Sequence, residues 1–278
     1  MDISQSAYLA GRTAEEALEK ARLLNKEGLG TLLAPHWHFP AKTEDYDRVV
    51  EETGNLITQM GHRLIRGGLS LDPRNFGLEE GWKETMDRMV PLLTKAEEFG
   101  YGIWLDVEEG DSVGAGIDLY LALRPRFPHL AITISARLSR SLADLEAILR
   151  VRGRVRLVKG LPVLDFGTTL PEDEVSSRFR LLMEILFQES NFFAIATHDP
   201  ELISLAENLM KNHAKMFEFQ MYLGISDIVA RKLIYEGGHP TTIYLPFGEG
   251  TSRHLDRLVA GGRISPGTPP GKGPATPS

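Results

Sequence analysis

Residues 192–203 read Phe-Phe-Ala-Ile-Ala-Thr-His-Asp-Pro-Glu-Leu-Ile, and this stretch decides the fold. Phe192–Ala196 is a short apolar run with the length of a strand. Asp199-Pro200-Glu201 then opens a helix, because aspartate accepts the first free N–H groups and proline suits the first helical position. A strand that passes directly into a helix is the repeating unit of a parallel sheet built by right-handed crossovers.

The same unit recurs outward in both directions. Apolar runs lie at Thr31–Ala34, Leu64–Leu71, Gly102–Val107 and Leu130–Ser135, then at Val155–Lys159, Met216–Phe219 and Thr242–Leu245. Between them, stretches such as Leu78–Glu98 and Glu174–Phe187 carry apolar residues three and four apart, as helices require. A further helix starts at Thr43, and an N-terminal helix from Thr13 to Asn25 precedes the first strand. Eight alternations over about 230 residues predict an α/β fold of the (β/α)8 TIM-barrel type rather than an open doubly wound sheet.

Composition sets the bounds. An average domain size would divide 278 residues into two. A single barrel of about 250 residues instead accounts for 1–261 as one domain. The Pro/Gly-rich segment 262–278 has Ile264 as its one large apolar residue and is expected to be a disordered tail. A 42% hydrophobic chain sustains a sizeable core, and 31 Lys and Arg against 38 Asp and Glu argue against a non-specific nucleic-acid binder. The absence of cysteine excludes disulfides, iron–sulfur clusters and thiolate zinc sites. No apolar run has the length of a membrane span, and the polar start lacks a signal peptide's apolar region, so a cytoplasmic protein is expected.

In a barrel of this kind, polar residues at the C-terminal ends of strands face the mouth where chemistry occurs. The predicted strand ends supply Asp72, Asp106, Arg137, Lys159, Thr197, His198, Gln220 and Tyr244, a mixture of acid, base and hydrogen-bond donors. His36-Trp37-His38 follows the first strand, and two histidines two apart can share one face of an extended segment. A metal-dependent hydrolase or aldolase using His36, His38, Asp72 or Asp106 is therefore one reading, and a catalytically idle ligand-binding barrel is another. The phosphate-binding G-x-x-x-x-G-K-[ST], the nucleophile G-x-S-x-G and the dinucleotide G-x-G-x-x-G are all missing.

Four strand-end segments together resemble the proline dehydrogenase family, whose members carry a flavin in a distorted barrel. They are Val155-Arg156-Leu157-Val158-Lys159-Gly160, Ala196-Thr197-His198-Asp199, Phe217-Glu218-Phe219-Gln220-Met221 and Tyr244-Leu245-Pro246-Phe247-Gly248, in family order on consecutive predicted strands. Ala10-Gly11-Arg12-Thr13 and the helix after it resemble the opening of shorter members. The resemblance implies FAD-dependent oxidation of proline or a related cyclic secondary amine to its imine, with electrons passing on to a quinone-like acceptor. It implies peripheral contact with the inner face of a membrane, and a C-terminal helix over the mouth; it leaves the oligomeric state open. It places Arg156 against the flavin, with Lys159, Thr197, His198 and Gln220 as cofactor contacts. Free N–H groups of the helix after Thr197-His198-Asp199 would suit an anion. On the substrate side it places Asp106, Tyr244 and Arg257, with N-capping as the competing role for Asp106.

The match fails where family members grip the proline carboxylate with three cations. Asp72 stands where the family has lysine, and Leu258 stands at the second of two arginine positions, leaving Arg257. At an effective dielectric near 20, each unit-charge contact at about 4 Å is worth on the order of 4 kcal/mol before desolvation. A substrate with a cationic or hydroxyl group opposite Asp72 is the expectation that follows, unless Arg66, Arg74 or Arg137 compensates.

Overall fold

In the computed structural model, strand and helix alternate from Gly30 to Ala260. The structure describes residues 7–37, 43–107, 112–160, 169–225 and 227–260; segment 262–278 and His38 lie outside them. Helix α1 (Ala14–Lys26) begins at a capping box in which Thr13 and Glu16 satisfy each other's backbone N–H groups. The strands are β1 (Gly30–Pro35), β2 (Gly67–Leu71), β3 (Gly102–Leu105), β4 (Ala131–Ser135), β5 (Arg154–Val158), β6 (Phe192–Ala196), β7 (Met216–Tyr222) and β8 (Thr241–Phe247). Each is followed by a helix: α2 (Thr43–His62), α3 (Trp82–Glu98), α4 (Ser112–Leu123), α5 (Ser141–Arg150), α6 (Glu172–Glu189), α7 (Pro200–Asn212), α8 (Asp227–Tyr235) and α9 (Thr251–Ala260). All strand pairs are parallel, and β8 closes onto β1 with Leu32 opposite Tyr244. The expected (β/α)8 barrel is the observed fold.

Period-two alternation divides each strand between two environments. On β5, Val155 and Leu157 are fully buried in the main core, while Arg156 between them takes the inner face. On the inner face, Leu32, Trp104, Ala131 and Ala194 form an apolar cluster with Phe192 and Tyr244 packed against it. In the main core, Phe193 stands with its centroid 4.9 Å from Phe187 and 5.6 Å from Phe217.

The boundaries differ from expectation where backbone geometry intervenes. Leu64 does not start β2: it has a left-handed φ of 52° and is 88% exposed. β3 ends at Leu105, which puts Asp106 just past the strand. β7 and β8 run on to Tyr222 and Phe247, so Gln220 and Tyr244 lie within strands, not at their ends. The helix expected from Leu78 starts at Trp82, because Asp72 caps a short 3-10 turn (Pro73–Phe76) that Gly77 closes at φ 93°.

The last helix breaks the regular outer ring. Leu255 and Leu258 of α9 pack with Tyr8, Leu9 and Ile225 in a cluster of their own. No helix among the described residues is long and apolar enough to cross a membrane. Replacing Phe193 by alanine should lower the unfolding free energy by about 3–5 kcal/mol, the cost of an aromatic-sized cavity, as read by urea denaturation.

Candidate functional site

Inner-face alternation on β5 carries the centre of the site. Arg156 is 3% exposed, and its guanidinium is satisfied on every side. Nε and Nη2 donate to Thr133 Oγ1 at 2.9 and 2.6 Å, Nη2 donates to Ser70 Oγ at 3.1 Å, and Nη1 donates to Gln220 Oε1 at 3.3 Å. Nη2 also forms an ion pair with Asp106 Oδ1. Desolvation pulls the guanidinium down to about 10, against the fields of Tyr244 and Glu218, so it stays charged at neutral pH. Its carbon lies 5.8 Å from the ring centre of Trp104 and 5.6 Å from that of Tyr244.

Asp106 anchors this cation. Ser70 Oγ donates to its Oδ2 at 2.7 Å, Thr133 Oγ1 donates to Oδ1 at 3.2 Å, and the Tyr244 hydroxyl donates to Oδ2 at 3.3 Å. Among the described residues its contacts run across the barrel, and the residues it would cap, 108–111, lie outside them. Beneath Gln220 lies Glu218, which accepts from Gln220 Nε2 at 2.6 Å and from Thr242 Oγ1 at 2.9 Å. Burial pushes the Glu218 carboxyl above the usual range, with Gln220, Thr242 and the two arginines of β5 pulling the other way.

Six of the residues predicted from sequence line one cavity of about 150 Å³ at the mouth: Arg156, Lys159, Thr197, His198, Gln220 and Tyr244. Leu258, Ile225 and Tyr222 close its apolar side. Lys159 Nζ pairs with Asp199 Oδ2 at 2.7 Å. Asp199 Oδ1 meanwhile accepts from Glu201 N at 3.0 Å and Leu202 N at 3.5 Å. Burial raises the Asp199 carboxyl, but Lys159 and these N–H groups outweigh it and hold it below its ordinary value. The α7 N–H groups expected to receive an anion are thus already capped by the chain's own carboxylate. The Tyr222 N–H donates to His198 Nε2 at 3.0 Å, which places the neutral ring's proton on Nδ1.

The clamp residues fall elsewhere. Asp72 accepts from Arg74 Nη2 at 2.6 Å and Nε at 3.0 Å, and the two side chains are each about one-fifth exposed. Its charge is therefore neutralised, and the repulsion expected from a lone carboxylate does not apply. Arg66 bonds to the carbonyls of Asn25 and Leu29 at the entry of β1, away from the mouth, and Arg137 pairs with Glu172 at 2.6 Å. All three arginines are engaged by partners in the chain, and Arg74 shares a recess with Asp72 and Asp106. Arg257 belongs to α9, and its side chain lies outside the described residues.

Sequence reasoning missed Ser70, Thr133, Glu218 and Thr242 as members of this network. The signal was present: Glu218 alternates with Phe217 and Phe219, and a carboxylate there shares the inner face with Gln220. His36 turns to the Tyr244 hydroxyl, with Nε2 at 3.4 Å. Among the described residues no group of three His, Cys, Asp or Glu side chains converges to hold a metal, so the metal-dependent reading finds no centre there.

Because the folded state raises the Glu218 pKa, its contribution to stability is fully present below the ordinary glutamate range and is lost as pH rises through the folded value. Glu218→Gln removes that titration. Urea denaturation across pH 4 to 8 should show the variant gaining on the native protein as pH rises, by at most ~1.4 kcal/mol per pH unit. A pH-independent difference would contradict the assignment.

No family model matches the chain. Curated relatives do. Proline dehydrogenase 1 of Bacillus subtilis (strain 168) is 25% identical over 257 residues, covering 91% of this chain and 85% of the relative. Proline dehydrogenase of Deinococcus radiodurans is 27% identical over 266 residues, covering 91% and 84%. The crystal structure of proline utilization A from Bdellovibrio bacteriovorus, inactivated by N-propargylglycine, superposes with a TM-score of 0.83 at 17% identity. That match covers 92% of this chain, which spans about a third (32%) of the larger protein. With the eight-stranded barrel closed and the relatives aligned along nine-tenths of its length, the chain is similar to proline dehydrogenases in sequence and to a proline utilization A protein in fold.

Proposed function

We propose that the chain oxidises proline to its cyclic imine at the barrel mouth, with FAD as cofactor and a quinone-like acceptor for the electrons. The observation that carries this reading is the convergence of Arg156, Lys159, Thr197, His198, Gln220 and Tyr244 on one cavity, in a chain whose curated relatives are named proline dehydrogenases. A quinone acceptor goes with a cytoplasmic protein that touches the inner membrane face peripherally.

The residues present fit a flavin. Ser135 Oγ at the end of β4 is buried with no hydrogen-bond partner among the described residues. Gly160 opposite it leaves a space that a Cβ would fill by running into that oxygen. Ser135, Lys159 and Gly160 would hold the cofactor with Arg156 and Gln220 beside it. When bound, the flavin supplies the hydride acceptor. Arg156, paired with Asp106, would place its guanidinium beside the ring that gains negative charge. Lys159 brings a charge partly neutralised by Asp199, so its share is smaller than a bare lysine's.

On the substrate side, Tyr244 offers an aromatic face and one hydroxyl, and Leu258, Ile225 and Tyr222 exclude water. Arg74 and Arg257 are the cations proposed for the carboxylate, with Asp72 acting by orienting Arg74. A carboxylate that displaced Arg74 from Asp72 would lose the bidentate pair, so we expect weaker binding of proline than a full three-cation clamp would give.

The purified protein should be yellow or become so with added FAD, and proline added without oxygen should bleach the flavin band. Protein that takes up no flavin, or a bound flavin that proline leaves oxidised, would refute the reading.

A further inference from the structure

Oxidation of a cyclic secondary ammonium leaves a proton to be placed. The substrate enters as CH–NH2+, and its nitrogen must lose one proton to free a lone pair. That lone pair forms the C=N bond as the C–H bond breaks and hydrogen leaves with both electrons to the flavin. The product is an iminium, and one proton has to leave the site. Asp106 is a carboxylate of the site, but its oxygens already receive Arg156, Ser70, Thr133 and the Tyr244 hydroxyl. A proton placed there would break a buried ion pair.

The Tyr244 hydroxyl has a second neighbour. His36 Nε2 stands 3.4 Å from it. The main chain of His36 is held on both sides: its N donates to Phe247 O at 2.8 Å, and Gly250 N donates to its O at 2.9 Å. His36 also lines a second cavity of about 440 Å³, outside the barrel mouth, between β1, α2 and the turn after β8. The charged groups facing it there are Arg12 from the N-terminal segment, Arg48 and Glu52 from α2, and Glu249 from the turn. Tyr244 and, behind it, Asp106 face it from the barrel.

We infer that His36 is the proton outlet of the site, acting through Tyr244: the hydroxyl turns its proton from Asp106 to His36 Nε2 and passes it on as it takes one from the substrate nitrogen, and the outer cleft carries it away. His36 is a positioning and relay residue, not one that touches substrate. The inference rests on the amine-oxidation reading above. Only a neutral ring takes up the proton, so protonation of His36 closes the relay.

The test uses the flavin-loaded protein and stopped-flow reduction by proline without oxygen. His36→Ala should lower the limiting reduction rate by about 10²-fold, the scale of one general acid–base group, with the apparent affinity for proline kept within about twofold. The acid limb of the pH profile should disappear in this variant. Added imidazole, admitted by the outer cleft, should restore rate in proportion to its concentration. An unchanged rate and profile, or a loss that imidazole leaves untouched, would overturn the relay. A readout independent of turnover is the ring nitrogen NMR titration of His36, assigned by its loss in His36→Gln. Tyr244→Phe should shift that titration, and an unmoved titration would overturn the contact. Native protein that proline fails to reduce refutes the functional reading instead, and the NMR measurement then decides the Tyr244–His36 link on its own.

Discussion

Arg156 and Asp106 form a buried ion pair across the barrel, and the site is arranged around it. Two charges removed from water are tolerated only when every donor and lone pair is met. That condition explains the residues that surround them: Thr133 and Ser70 each serve both partners, Gln220 serves the guanidinium, and Tyr244 the carboxylate. Removing one partner strands the other, at a cost of about 3–5 kcal/mol. An Arg156→Ala change would therefore disturb folding together with chemistry, which makes it a poor probe of the arginine's role.

The second tier of contacts connects the pair to its surroundings. Glu218 holds Gln220, Gln220 meets Arg156, and Thr242 holds Glu218, so β5, β7 and β8 share one polar network inside the barrel. Tyr244 joins that network to His36 and to the turn that starts α9. The mouth is thereby tied to its covering helix through this phenol as well as through the packing of Leu258. Leu258 and Ile225 at the same place make the covering surface apolar, which suits a ring more than a second charge.

Much of this was legible in the sequence, for reasons of periodicity. Phe192–Ala196 followed by Asp199-Pro200 announced its strand and helix correctly, because burial and capping are local matters. Eight such units sufficed for a closed barrel. The strand ends led to the mouth, and six residues named there line one cavity. What was not legible depends on side-chain directions and on partners far apart in the chain. Nothing near Asp72 says that Arg74 folds back onto it, and nothing near Asp106 says that it meets Arg156 fifty residues on. Strand lengths failed where a left-handed Leu64 or a 3-10 turn at Pro73 overrode the apolar pattern.

The central claim is that Arg156 supplies the charge that makes the bound flavin easy to reduce. The midpoint potential of the flavin tests it, compared between the Asp106→Asn protein and the variant that adds Arg156→Met to it, which differ in the arginine's charge alone. The neutral pair keeps the volume while leaving no charge stranded in the barrel. The account predicts a potential more negative in the variant by tens of millivolts, about 30 mV for each tenfold change in the two-electron equilibrium. An unchanged or more positive potential in a folded, flavin-bound variant would contradict it.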